Sequence, residues 1–320
     1  MKAAVVHELG GVPRYEDFAD PVPREGEVLI RIRAVAVENV DKAIVNGEHY
    51  AAGKYLTEFP MIPAFDGIGE LADGTLVTFG NLRAPYGALA ELCAVDARMT
   101  RPIPDGIDPA VLSVMSSAIT AMSIQVGGEL EPGQTVLVQG GTGVAGRLTI
   151  KIAKLLGAGR IVATGRDDGQ LRELRKLGAD TVINTAVPDD DLLRAYKDGM
   201  GDGYDVIADY LWGRPTDVLL RALIPDTFTL GKPTRLIQIG EAAGSAVTLP
   251  AAGLRTSGLE IVGAAKGLNA ETMLPVYEQV LTWTRAGDLT FETEQVPLSD
   301  IETARQRTDL RGKRLVVIFD

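Results

Sequence analysis

The chain is poor in the residues from which metal centres and covalent cross-links are usually built. A single cysteine, Cys93, among 320 residues excludes an intrachain disulfide and a cysteine-built zinc site. The two histidines, His7 and His49, stand too far apart for a helical ligand pair, so neither is taken as a ligand. Basic residues are also in deficit: 32 Lys and Arg against 43 Asp and Glu leave a net charge of -11. A nucleic-acid partner needs a basic surface whose binding releases counterions, so small molecules are the expected partners. No apolar run reaches the length that spans a bilayer, and Met1 to Gly11 lacks the apolar stretch of a secretory signal. A cytoplasmic protein with no membrane association is the expectation. With 46% apolar and 23% charged residues the chain should fold throughout, and its length divides most simply into two domains.

Up to about Val95 the pattern is one of short strands broken by turn residues: Lys2-Val6, Val28-Val35, Gly67-Leu71, Thr75-Phe79 and Leu89-Val95. Val28, Ile30, Ile32 and Ala34 share one face and Arg31 and Arg33 the other, the period-two signature of a half-buried strand. From Gln134 the texture changes to six apolar strands alternating with helical stretches: Thr135-Val138, Arg160-Thr164, Thr181-Ile183, Asp205-Asp209, Arg235-Ile239 and Leu259-Val262. Such alternation predicts a parallel sheet covered on both faces. Val144, Leu148, Ile152 and Leu155 form the apolar stripe of the first crossover helix. Leu171, Leu174 and Leu177 repeat the device, Gly178 is placed to end that helix, and Pro215 sits where another can begin. A further helix, Ala270-Arg285, and a last strand, Arg314-Phe319, should return the tail to the first domain.

Between the strand Thr135-Val138 and its helix lies Gly140-Gly141-Thr142-Gly143-Val144-Ala145-Gly146. Glycines at 140, 143 and 146 let the backbone approach a pyrophosphate, whose charge the free amides and the helix N-terminus hold. Strand, loop and helix occur in the order that a dinucleotide site requires, and a mere tight turn is the bland alternative. Leu130-Gly146 (LEPGQTVLVQGGTGVAG) resembles the loop of the medium-chain dehydrogenase/reductases, and Ile62-Gly69 resembles their IPGxExxG segment. Gly47, Pro102-Ile103-Pro104-Asp105-Gly106, Thr120-Ala121 and Gly312-Lys313 follow in the order of the zinc-free quinone oxidoreductase (zeta-crystallin-like) branch. The resemblance covers nearly the whole chain. It implies an α/β protein with a GroES-like β-rich catalytic domain, 1–117 completed by 266–320, a Rossmann domain over 118–265, and an active site between them. It also implies a homodimer paired through the last Rossmann strand, Leu259-Ala264.

The zinc-dependent branch carries a cysteine near Asp41 and a histidine-glutamate pair after Ile62, where this chain has Glu38 and Phe65-Asp66; the cysteine-rich structural zinc lobe is absent as well. No metal is therefore expected. At the end of the second Rossmann strand, where NAD enzymes place an acid, stands Thr164-Gly165-Arg166. A guanidinium offers paired donors to a 2′-phosphate, so NADPH is the expected cofactor; a solvated surface arginine is the alternative. Asp167 and Asp168 are more simply read as N-capping residues. Thr120 matches the family's threonine near the nicotinamide amide, or is only a helix threonine, while Leu211 and Gly240-Glu241 follow the fourth and fifth strands and would act through their backbones. Asn39 and Asp41 form an Asn-x-Asp pair followed by Gly47 and Tyr50, similar to the quinone oxidoreductase segment that lines the nicotinamide side of the cleft; the resemblance implies that role for Asn39, while Asp41 either shares it or caps a short helix starting at Lys42. Tyr50 or Tyr55 would return a proton to substrate, or is a half-buried aromatic. Trp212 either walls a substrate pocket or packs structurally, and Cys93 reads as core.

Without zinc, the substrate must bring its own electrophilicity, as quinones and α,β-unsaturated carbonyls do. Three readings result: an NADPH quinone reductase, an ene-reductase of enones, enals or enoyl thioesters, and a non-catalytic NADPH-binding protein. An acidic chain with no evident basic patch disfavours coenzyme A thioesters.

Overall fold

A computed structural model describes residues 1–56, 58–103, 106–227 and 231–319. Pro104 and Asp105 of the Pro-Ile-Pro-Asp-Gly run lie outside the described residues. The chain forms two units, Met1–Met115 with Phe291–Asp320, and Ser116–Thr290. The helix Ala270–Ala286, placed with the first domain by the sequence, belongs to the second unit. Just beyond it, the carbonyl and hydroxyl oxygens of Thr290 accept from Lys151 Nζ of the same unit.

The first unit is built on a seven-stranded, mostly antiparallel sheet. Its main path runs Thr293–Pro297, Arg314–Ile318, Glu27–Ala36, Asp66–Glu70, Leu76–Gly80 and Thr100–Pro102, with Leu92–Asp96 also pairing Glu27–Ala36. The tail strand thus returns to the first unit as expected. Ile30, Ile32 and Ala34 are fully buried, and across the strand Arg33 pairs with Glu70 at 2.8 Å, so the alternation seen in the sequence is the alternation of core and surface. Phe79, Leu89, Cys93 and Val317 complete this core. Burial pushes the Cys93 thiol far above its usual range, in keeping with a core residue.

The second unit holds six parallel strands in the order Thr181–Asn184, Arg160–Gly165, Thr135–Gln139, Val206–Asp209, Thr234–Gln238, Leu259–Gly263. This is the doubly wound order, whose reversal falls between Thr135–Gln139 and Val206–Asp209, and ligands of such sheets bind at the carboxyl ends beside that point. The helix Val144–Leu155 buries Leu148 and Ile152, and Asp168–Leu177 buries Leu171 and Leu174 before Gly178 ends it in a left-handed conformation. The fold class is the one the sequence predicts. One expectation fails: the 18-residue stretch Pro109–Val126 is long and apolar enough to pass as a membrane span by composition. It is divided among the short helices Pro109–Leu112, Met115–Ala121 and Ser123–Val126, and 61% of it is buried, as suits core segments.

Candidate functional site

At the carboxyl end of Thr135–Gln139 the chain turns through Gly140, at φ 81°, into the helix Val144–Leu155. Thr164, on the adjacent strand, pins the turn: its hydroxyl accepts from Gly140 N at 3.0 Å and its carbonyl from Gly141 N at 2.9 Å. A Cβ on Gly146 would lie 2.3 Å from the Gly140 carbonyl oxygen, so only glycine lets the helix start this close to the turn. Gly143 is the N-cap and forms no side-chain cap, leaving the amides of the first helical turn, over Val144, Ala145 and Gly146, for an anion to use. Gly143 is exposed and Thr142 half-buried. The arrangement fits a pyrophosphate: donors and approach are present, and the space that side chains would fill is kept clear.

Gly165 lies against the turn, since a Cβ there would meet Thr142 Cγ2 at 2.5 Å. The next residue, Arg166, is exposed and has no hydrogen-bond or ion-pair partner among the described residues. Asp167 is the N-cap of Asp168–Leu177, accepting from Gln170 N at 2.8 Å, and Asp168 accepts from Asn184 Nδ2 at 2.8 Å. Both acids are therefore engaged, while the guanidinium remains available.

Beyond the fourth strand, the Leu211 amide donates to Asp209 Oδ1 at 2.9 Å and the Leu211 carbonyl accepts from Ala243 N at 2.7 Å. Both main-chain groups are thus committed internally, and it is the Leu211 side chain that reaches the turn, its Cδ2 standing 3.0 Å from a Cβ built on Gly140. Gly240 donates to the Asp209 carbonyl at 3.1 Å, and Glu241 is exposed beside it. The second unit so brings Gly140–Gly146, Gly165, Arg166, Leu211, Gly240 and Glu241 to one edge of its sheet. Thr120, also in this unit, is exposed with its hydroxyl donating to Ser116 O of its own helix.

In the first unit the helix starts at Asn39, not Lys42, with Glu38 as N-cap. Asp41 closes a capping box, its Oδ2 accepting from Glu38 N at 2.7 Å, which is the helix-capping alternative. Asp41 is buried, and desolvation holds its carboxyl well above the usual range despite that hydrogen bond. Asp66 is reached by solvent yet crowded by protein; desolvation and the charge of Glu38 push it up to about 7. Asn39 is exposed. Tyr50 is 96% exposed with its ring 4.2 Å from that of His49, whereas Tyr55 is half-buried with its ring 4.0 Å from Phe65. Sequence reasoning passed over Asp209, Gln139 and Thr216, which are buried in contact with one another under the site's edge. The only signal available was an acid closing the apolar strand Val206–Asp209.

A model of the zinc-binding dehydrogenase family matches residues 145–226, all within the parallel-sheet unit. The chain is similar to prostaglandin reductase-3 of Mus musculus, 30% identical over 238 residues, covering 71% of this chain and 59% of that protein. It is similar to a chloroplastic NADPH-dependent alkenal/one oxidoreductase of Arabidopsis thaliana, 31% identical over 231 residues, covering 65% of this chain and 57% of that protein. The chain thus spans under two thirds of the length of these relatives. Among solved structures, the quinone oxidoreductase of Thermus thermophilus, also solved in complex with NADPH, covers 100% of both chains at a TM-score of 0.74 and 25% identity.

Proposed function

We propose that this chain, a member of the medium-chain dehydrogenase/reductase superfamily in fold and in matched sequence, is an NADPH-dependent oxidoreductase that reduces a quinone or another conjugated carbonyl without zinc. The observation that carries the proposal is the uncapped glycine turn at the carboxyl edge of the parallel sheet, with an unengaged arginine one strand away. The turn's amides and the helix N-terminus would hold the pyrophosphate. Arg166 would hold a 2′-phosphate, and Leu211 would wall the groove.

When bound, the dinucleotide supplies a hydride. The chain's own part is placement, exclusion of water and management of one proton. The positions that carry metal ligands in the zinc-dependent branch hold Glu38, Phe65 and Asp66 here. A phenyl ring cannot coordinate, and two carboxylates lack the nitrogen and sulfur character that zinc prefers. The zinc-binding family match does not reach these positions. A saturated ketone, which gathers negative charge on one oxygen, would then find no electrophile; a conjugated acceptor spreads that charge. Tyr50 is the proposed hydrogen-bond partner of the substrate oxygen and the proton donor, with Asn39 and Asp41 in the same region of the first unit.

An ene-reductase acting on enones or enals is the second reading, favoured by the 31% identity to the alkenal/one oxidoreductase. We place the protein in the cytoplasm and take the open sheet edge Leu259–Gly263 as the surface that pairs with a second copy. NADPH oxidation in chelator, with a quinone, an enone, an enal and a saturated ketone as acceptors, tests the proposal. Turnover of conjugated acceptors with an inert ketone is expected. Fast ketone reduction or loss of activity in chelator would overturn the zinc-free reading, and no turnover with any acceptor would leave a binding protein. Sedimentation at micromolar concentration should give a dimer, and a monomer would remove that part of the proposal.

A further inference from the structure

Asp209, the last residue of the strand Val206–Asp209, is fully enclosed and has no ion-pair partner among the described residues. A carboxylate buried in this way is expensive unless hydrogen bonds occupy it. Here they do. Oδ1 accepts from Leu211 N at 2.9 Å and Trp212 N at 3.0 Å, and Oδ2 accepts from the Thr216 hydroxyl at 2.6 Å. Thr216 in turn accepts from Gln139 Nε2 at 3.1 Å, and Tyr196 donates to Gln139 Oε1 at 2.5 Å. Gln139 closes the strand that leads into the glycine turn, so a continuous polar chain links the two loops from below.

The residue that this carboxylate grips is strained. Trp212 sits at φ 51° and ψ -163°, a region that glycine occupies freely and a bulky side chain resists. Its neighbour Gly213, at φ 59°, lies so close to the segment 240–244 that a Cβ would stand 2.3 Å from Ala243 O. The bend therefore has no room to relax on that side. Its outer consequence is the placement of Leu211 against Gly140.

We propose that Asp209 is a positioning residue for the dinucleotide site, holding Trp212 in its strained conformation and thereby setting Leu211 against the glycine turn. The inference rests on the reading of that turn as an NADPH site. Asp209 touches no ligand; it acts through the bend.

The test is a binding cycle with NADPH. Asp209→Ala removes the grip on both amides and should raise the NADPH Kd about tenfold, whereas Asp209→Asn keeps an oxygen acceptor for them and should stay within about threefold. In a Trp212→Gly background the bend is unstrained, so the same Asp209→Ala change should raise the Kd by less than about threefold. A merely structural carboxylate would give the same penalty in both backgrounds, and that result overturns the proposal. Trp212 and Trp283 are the only tryptophans, so in a Trp283→Phe chain the ligand-free emission of Trp212 should shift with Asp209→Ala and not with Asp209→Asn. Unchanged emission would also overturn it. If Asp209→Ala fails to fold, Thr216→Val, which strips the donor from Oδ2, should raise the Kd about threefold, and a wild-type value contradicts the role. Wild-type protein that binds no NADPH overturns the reading of function and the role together, whereas wild-type binding with an unaffected Asp209→Ala overturns the role alone.

Discussion

The carboxyl edge of the parallel sheet in the second unit and the polar cluster of the first unit each hold candidate residues, and they are made differently. At the sheet edge the groups proposed to bind are main-chain amides, and Gly146 carries no side chain so that the helix start can lie against the Gly140 carbonyl. In the first unit the polar groups gathered are the side chains of Glu38, Asp41 and Asp66, crowded enough to raise the two aspartates, and Asp41 is already committed to a capping box. A site of amides is written in consecutive residues, because only glycine meets its steric demands. A site of side chains depends on distant segments meeting in space, and residue type alone leaves several roles open.

If this contrast holds, the largest effect should come from the smallest substitution. Gly146→Ala places a methyl 2.3 Å from the Gly140 carbonyl, and the overpacking should cost about 3 kcal/mol, roughly a hundredfold in NADPH affinity by titration. Wild-type affinity in that variant would mean that the amides are not the site. In the first unit, Tyr50→Phe should lower enone turnover about tenfold, the value of one hydrogen bond, and quinone turnover less, because enone reduction ends with a proton on carbon. Stability should stay within about 0.5 kcal/mol, since the side chain is 96% exposed. Unchanged enone rates would assign the proton to another donor.

The smallest effect concerns Asp66. Its folded pKa of about 7 exceeds the ordinary value of 3.8, so the native state holds the proton more tightly than the unfolded chain. Stability from this group is therefore lost as pH rises from about 4 to about 7 and is level above that. Asp66→Asn cannot ionise, so its melting temperature should exceed that of the parent at about pH 8 and match it near pH 4, with the gap reduced by solvent screening. Parallel melting profiles would show that the crowding of carboxylates has no energetic weight.

What the sequence made legible follows the same contrast. The six parallel strands, the helix ending at Gly178, the cap at Asp167 and the glycine turn rest on local patterns and were all foreseen. The strand Arg14–Asp17 was not, because RYED has no apolar alternation and lies largely exposed. Thr100–Pro102 is three residues long and contains proline, and Thr293–Pro297 is polar and half-buried, so neither carries a strand signature. The grip of Asp209 on Trp212 has no local signature, because it depends on a backbone angle and on Thr216 and the more distant Gln139. The unit to which the helix Ala270–Ala286 belongs is not legible in its sequence, because periodicity tells which face is buried and not in which unit.

Paired titrations of the wild type and Arg166→Ala with NADPH and NADH test the central claim most directly. The wild type should prefer NADPH, and the variant should lose about 1.5 to 3 kcal/mol of NADPH binding, the range for a charged hydrogen bond, with NADH binding unchanged. Equal losses for the two nucleotides, or a wild type that prefers NADH, would contradict the account.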